Sequence, residues 1–283
     1  MPREHNISFI AHYTAQVWAR ERLPWAWRFD TRTGRLFYRA LAPLWRLAEL
    51  AGQASPPQFL IQRHRIIDAL VQRIAPAQLV ELAGGLSPRA LALSHKRGVP
   101  CVDVDLPPMV RLKGALLGAE QPPGYRLADL DLLASADYAA DLGPVLRRVA
   151  PTVVITEGIL SYFPLARQRQ VFARVAALLR HCGGGTYLAE IHHQEQIDRL
   201  GELFRAGLAL LARSPRHPMI PGAATGRAML GEAGFDRVTV HDPRDWQHEL
   251  GLPPPRRQTG LRVYEASVAP GSRRRWHPAQ DPV

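Results

Sequence analysis

The sequence predicts an α/β protein built on a doubly wound, seven-stranded, mostly parallel sheet with an N-terminal helical lid. Three observations predict it. From residue 78 onward, short apolar runs alternate with helix-periodic stretches, the pattern of strands joined by crossover helices. The stretch Glu81-Leu82-Ala83-Gly84-Gly85-Leu86-Ser87-Pro88-Arg89 closes the apolar run Gln78-Leu79-Val80 and turns through glycines into a helix. Such a turn brings backbone N–H groups close to a bound ligand. Asp105 stands twenty residues beyond Gly85, at the end of Val102-Asp103-Val104-Asp105. An acid at that distance is placed to accept hydrogen bonds from ribose hydroxyls. Together these features predict a Rossmann-like sheet with a nucleoside-containing cofactor at the carboxyl ends of its strands.

The elements follow in order. Strands are predicted at 78–83, 100–105, 125–130, 152–157, 185–191, 237–241 and 262–268. Helices fill most gaps, at 89–97, 108–117, 138–149, 165–181 and 194–212, with a further one at 224–233 ended by Gly234. The last two strands, joined by a proline-bearing loop at 242–259, suit a final hairpin-like pair. Ahead of the sheet, 10–22 is amphipathic and 31–50 is a second helical candidate, in a stretch holding Trp18, Trp25, Trp27 and Trp45. The predicted organisation is a cap or lid over 1–57, an α/β domain over 58–270 and a flexible tail over 271–283.

Composition limits the class. The 283 residues suffice for one large α/β domain with an appendage, or for two small domains, and 46% hydrophobic content is ample for a core. The net charge of +11 invites a nucleic-acid reading. However, Lys96 and Lys113 are the only lysines, and the arginines are scattered apart from Arg273-Arg274-Arg275. That pattern reads as coding bias, so no nucleic-acid partner is expected, although attraction to an acidic carrier protein stays open. Cys101 and Cys182 fall at strand beginnings and are expected as buried free thiols, with no metal spacing. No run approaches the roughly eighteen apolar residues of a membrane span, and Met1-Pro2-Arg3-Glu4-His5 lacks a signal-peptide core. A cytoplasmic protein with no membrane partner is the expectation, and the oligomeric state is left open.

The glycine turn narrows the cofactor. The dinucleotide fingerprint G-x-G-x-x-G would place its glycines where this chain has Ala83, Gly85 and Pro88. Two are missing, which weakens a nicotinamide reading. Glu81 fits a ligand with an ammonium group, and S-adenosyl-L-methionine carries both an ammonium and a ribose.

Five blocks carry a family resemblance: Thr14-Ala15-Gln16-Val17-Trp18-Ala19-Arg20 with Phe29-Asp30; Arg63-His64-Arg65-Ile66-Ile67-Asp68; the glycine loop at 81–89; Asp103-Val104-Asp105-Leu106-Pro107; and Thr156-Glu157-Gly158-Ile159-Leu160-Ser161-Tyr162-Phe163. They resemble the class I S-adenosylmethionine-dependent methyltransferases and, more narrowly, the leucine carboxyl methyltransferase and polyketide O-methyltransferase family, over about residues 10–240. The resemblance implies that Arg63 holds the methionine carboxylate, as a forked donor can. It implies that Glu81 and the Ala83–Gly85 backbone hold the amino-acid part. Asp105 would take the ribose hydroxyls, with Leu106 against the adenine. Asp129 and the backbone N–H of Leu130 would read the adenine edge, and Glu157 would line the cofactor near the sulfonium. The chain departs from the family at Ala83, in place of the first glycine, and at Ser87-Pro88, in place of Asp-Thr.

Methyl transfer from a sulfonium requires alignment and desolvation of the acceptor. A carboxylate acceptor needs no base, whereas a hydroxyl usually does. His192 and His193 follow the fifth strand, and adjacent side chains point apart. His192 is the base candidate, and Tyr162 a candidate to orient an acceptor oxygen. Arg213, Arg216 and His217, among prolines at 213–221, could bind an acidic group. The expected activity is O-methylation of a carboxylate or hydroxyl on a small-molecule or carrier-bound acceptor. The alternatives are a protein C-terminal carboxyl methyltransferase and a non-catalytic binding protein. A nucleic-acid amino-methyltransferase is disfavoured, because Glu157-Gly158-Ile159-Leu160 stands where an Asn/Asp-Pro-Pro-aromatic block would be.

Overall fold

The computed structural model describes residues 5–50, 55–149, 151–196, 217–252 and 260–272. Among them the strands form one seven-stranded sheet of order β3-β2-β1-β4-β5-β7-β6. The strands are β1 (Gln78–Leu82), β2 (Cys101–Asp105), β3 (Tyr125–Asp129), β4 (Thr152–Thr156), β5 (Gly185–His192), β6 (Arg237–His241) and β7 (Leu261–Val268). The first five are parallel to one another, and β7 runs antiparallel between β5 and β6. All seven predicted strands are present, each within a residue or so of its predicted ends.

The helices are α1 (His5–Arg20), α2 (Arg32–Leu50), α3 (Pro56–Ile74), α4 (Arg89–Arg97), α5 (Pro107–Leu117), α6 (Tyr138–Leu142), α7 (Leu165–His181), α8 (Ala223–Glu232) and α9 (Gln247–Leu250). The helix expected over 138–149 stops at Leu142 and gives way to a 3-10 turn at Gly143–Val145. Pro144 offers no N–H to continue the helix, and Gly143 is a poor helix former. The expected helix over 194–212 is seen only as a 3-10 turn at Gln194–Gln196; the rest of it lies outside the described residues, as do 253–259 of the last loop, Arg213 and Arg216, and most of the tail.

Both faces of the sheet are covered, which is why its inner strands read as near-continuous apolar runs. Val80, Leu82, Val102, Val104, Val154, Tyr187 and Ala189 point to one face, against α6, α7 and α8. Leu79, Cys101, Val153, Ile155 and Leu188 point to the other, against α1, α3, α4 and α5. Strand alternation then fixes where the polar residues go. Glu81 shares parity with Leu79, Asp103 and Asp105 with Cys101, Glu157 with Ile155, and Glu190 and His192 with Leu188. The sequence therefore directs every acid at the strand ends to the face that carries the N-terminal helices.

The strand order reverses between β1 and β4, creating the crevice at which open α/β sheets bind ligands. Helix α1 sits over that point. A methyl group at Gly85 would come 3.3 Å from the Ala11 Cβ, and the Trp18 ring lies 4.7 Å from the His64 ring of α3. Helix α2 packs tightly on α1, since a Cβ at Gly34 would fall 2.5 Å from the His12 carbonyl oxygen. Both cysteines are free and buried. Among the described residues no helix is long and apolar enough to cross a membrane.

Candidate functional site

The glycine loop leaves β1 through two left-handed residues, Ala83 (φ 52°) and Gly85 (φ 54°). Between them Gly84 has no room for a side chain: a Cβ there would meet the Asp103 carboxylate at 2.6 Å and the Glu81 Cγ at 3.1 Å. Ala83 adopts a conformation that glycine takes without strain. The loop is tied to β2 by Asp105, whose Oδ2 accepts the Gly85 N–H at 2.7 Å and whose Oδ1 accepts the Leu106 N–H at 2.8 Å. Burial pushes the Asp105 carboxyl upward, and those two donors oppose the shift. A carboxylate holding one N–H on each oxygen keeps further lone pairs for other donors.

Glu81 is buried on the neighbouring strand. Its Oε1 accepts Arg89 Nη1 at 2.7 Å, while its Oε2 is buried without a hydrogen-bond partner. A buried acceptor left unsatisfied is costly and calls for an explanation. An ammonium group at this position would supply the missing donor.

Arg89, in the first turn of α4, is the hub of the site. Its Nε lies 2.5 Å from Asp68 Oδ1, its Nη1 pairs with Glu81, and its Nη2 lies 2.7 Å from Glu157 Oε2. Burial would favour the neutral guanidine, but these three carboxylates outweigh it and raise the group further. Arg63, from α3, donates Nε to Glu157 Oε1 at 2.9 Å and Nη1 to Glu190 Oε2 at 3.4 Å. It passes over Gly158 (φ 74°), where a Cβ would fall 2.7 Å from Arg63 Nη2. Burial would raise the Glu157 carboxyl, yet Arg89, His64 and Arg63 hold it far below the usual range.

Glu190 joins the same network from β5. Its Oε2 also accepts the Gly158 N–H at 2.8 Å, and its Oε1 lies 2.7 Å from His192 Nε2. Burial opposes ionisation here too, but His192, Arg63 and the Gly158 N–H bring the carboxyl down to about 2. Tyr162, half-buried after β4, has its hydroxyl pushed up to about 12, mainly by burial, with Arg63 lowering it and Glu190 raising it. His193 faces away from the site: it is buried, its Nε2 lies 2.7 Å from the Tyr264 hydroxyl, and burial followed by Arg262 and His192 brings it down to about 4.

Arg63, Glu81, Ala83, Gly85, Asp105, Glu157, Tyr162 and His192 thus gather around one crevice. Leu106 is half-buried at the start of α5, and Asp129 is exposed at the end of β3. One expectation is corrected. The Leu130 N–H, assigned to the adenine ring, instead donates to the Asp105 carbonyl oxygen at 2.9 Å. The β2–β3 ladder, which pairs Asp105 with Asp129, continues one bond further and uses that donor. Sequence reasoning gave no role to Asp68, His64, Arg89 or Glu190. The signal for Glu190 was a carboxylate inside the apolar run Tyr187-Leu188-Ala189-Glu190-Ile191, which a buried strand tolerates only with partners.

Comparison with known proteins gives the family and the fold. Residues 30–176, just over half of the chain, match the leucine carboxyl methyltransferase family. The chain belongs to that family. A protein of Mycobacteroides abscessus, named as a candidate S-adenosyl-L-methionine-dependent methyltransferase, is 30% identical over 106 residues, covering 36% of this chain and 33% of that one. A relative of the same description from Mycobacterium marinum is 30% identical over 145 residues, covering 47% and 43%. The chain therefore matches a third to under half the length of these curated relatives. The crystal structure of a candidate methyltransferase from Thermobifida fusca superposes with a TM-score of 0.60 at 16% identity, over 92% of this chain and 95% of that one. That likeness is one of fold.

Proposed function

We propose that the protein transfers the methyl group of S-adenosyl-L-methionine to an oxygen of a small-molecule or carrier-bound acceptor. The observation that carries the reading is the unpartnered Glu81 Oε2 beside the glycine loop, the acceptor that the cofactor's ammonium would satisfy. Asp105 has lone pairs for the ribose hydroxyls, and Leu106 lies next to it for the adenine, with Asp129 at the far edge. Charge supports the same ligand. Asp68, Glu81, Glu157 and Glu190 surround Arg63 and Arg89, so with the histidines neutral the cluster carries excess negative charge, complementary to a cofactor of net positive charge. Arg63 takes the methionine carboxylate by giving up part of its hold on Glu157 and Glu190.

When bound, the cofactor supplies an activated methyl group on a cationic sulfur. The protein's own part is to align the acceptor and exclude water. Helix α1, seated over the glycine loop, acts as the lid. The family's name favours a second reading, methylation of a carboxylate at a protein C-terminus.

The test is calorimetric titration of the full chain with S-adenosylhomocysteine, repeated for Asp105→Ala and with NAD. Micromolar affinity for S-adenosylhomocysteine, abolished by the substitution, is the expected result. Silence toward S-adenosylhomocysteine and S-adenosylmethionine sinks the reading, and binding of NAD alone replaces it with an oxidoreductase.

A further inference from the structure

We propose that helix α2 docks the protein on an anionic phospholipid surface, with its outward leucines among the acyl chains and its arginines on the lipid phosphates. This goes beyond the methyltransferase reading and does not depend on it.

The argument starts from where large apolar side chains meet water. Among the described residues, those that stay exposed are Trp27, Leu36, Leu44, Leu47 and Leu50. Four of the five belong to α2, between 55% and 82% exposed. Their spacing puts Leu36, Leu44, Leu47 and Leu50 on one side of the helix, together with Ala40 and Pro43. The opposite side faces the body of the protein. There Tyr38 stacks on Tyr13 of α1, Gly34 meets the His12 carbonyl, and Phe37 and Leu41 join the core. The leucine stripe is therefore surplus to folding, and from Leu36 to Leu50 it runs about 21 Å. A continuous apolar stripe left in water marks a surface of interaction.

Charge says what covers it. Arg32, Arg39 and Arg46 recur every second turn and form a row along one edge of the stripe. All three are exposed, and none is paired with a carboxylate among the described residues. Arg35, beyond them, is held by Asp30 at 2.9 Å. The one acid of α2, Glu49, turns instead to the start of α3, where it accepts from the Ser55 hydroxyl. A second copy of the chain would bring the same arginines to the stripe and be repelled. An anionic surface is attracted, and the net charge of +11 adds to the pull.

Shape separates a lipid surface from an acidic protein. The leucines project from a single helix laid on the outside of α1, a convex ridge rather than a groove. A rigid partner would need a matching furrow, whereas a lipid interface closes around a ridge. It takes the apolar face below the headgroups and leaves the guanidinium groups at phosphate level. The expectation of no membrane partner rests on the lack of an apolar span, and a helix lying along a surface needs no span. Because α2 packs on α1, and α1 covers the glycine loop, docking brings the lid of the crevice to the lipid.

The experiment is co-sedimentation of the full chain with vesicles of phosphatidylcholine alone and of equal parts phosphatidylcholine and phosphatidylglycerol, at low salt. The expected result is binding to the mixed vesicles only. Leu44→Gln with Leu47→Gln lowers the partition coefficient by about tenfold or more. Arg39→Gln with Arg46→Gln lowers it by about 25-fold, at about fivefold per arginine. Both variants keep the wild-type unfolding midpoint, since the face they alter packs against nothing in the fold. Equal binding to neutral vesicles, no binding to either kind, or undiminished binding of either variant overturns the proposal. A wild-type dimer in solution that the leucine substitutions dissociate gives the face to a second copy. Binding of soluble poly-glutamate in place of vesicles gives it to an acidic protein. Either result also overturns the proposal.

Discussion

Arg89 Nη1 and Glu81 Oε1 meet at 2.7 Å with the two side chains 3% and 1% exposed, an ion pair wholly removed from water. The same guanidinium serves Asp68 and Glu157. A buried ion pair adds little stability over an apolar substitute, but removal of one partner strands the other. Arg89→Met therefore leaves Glu81 and Glu157 without their main cation. A loss of about 3–5 kcal/mol is expected, read from the shift of the guanidinium chloride unfolding midpoint. Arg89→Lys should be intermediate, because one ammonium cannot reproduce a fork that reaches three carboxylates.

The glycine loop makes two opposite predictions. Ala83 holds φ 52°, so Ala83→Gly relieves left-handed strain and raises stability by about 1 kcal/mol, partly offset by the extra freedom of glycine in the unfolded chain. Gly84→Ala drives a methyl group to 2.6 Å from an Asp103 oxygen. It should lower the unfolding temperature by several degrees and weaken S-adenosylhomocysteine binding, both read from thermal melts with and without the ligand.

Gly158 gives a test that bears on Arg63. With φ 74° and a would-be Cβ 2.7 Å from Arg63 Nη2, Gly158→Ala strains the backbone and pushes the guanidinium aside. Affinity for S-adenosylhomocysteine should fall by about tenfold, equivalent to about 1.4 kcal/mol, by calorimetry. Unchanged affinity would show that Arg63 does not hold the ligand's carboxylate.

The inner strands were legible because burial on both faces writes an apolar run that turn residues interrupt, as at 152–156, and the edge strand 237–241 because Val238 and Val240 alternate with polar residues. The short α6 was not, because a helix-periodic pattern continues past the Gly143-Pro144 break. Within the candidate site, the placement of Glu81 and Asp105 beside the glycine loop was legible because a turn and a strand set their distance from the glycines. Arg89 and Glu190 were not, because their roles come from partners brought together across the sheet. Arg63 and Glu157 are 94 positions apart, and Arg63 and Glu190 are 127 apart. Local periodicity gives each residue a face and says nothing of which charge it meets there. The Leu130 donor was misassigned for a related reason: one more rung of the β2–β3 ladder cannot be read from either strand alone.

Glu190 predicts a pH-dependent stability with a definite sign. Its carboxyl stands at about 2 in the folded chain against an ordinary 4.5, so the unfolded chain takes up the proton first on acidification. Its contribution is complete above pH 4.5 and is lost as pH falls from there toward 2. At about 1.4 kcal/mol per unit, that contribution is about 3 kcal/mol. His193 acts in the same direction at higher pH: held down to about 4 against 6.5, it costs stability as pH falls from 6.5 to 4. Asp103, buried and pushed up to about 7 despite Lys113, runs the other way, so the clean readout is a difference between two proteins. The unfolding free energies of wild type and Glu190→Gln should differ by about 3 kcal/mol at neutral pH and converge as acid is added below pH 4.5. A gap that persists undiminished to the acid end would mean that Glu190 contributes through shape and hydrogen bonding rather than through its charge.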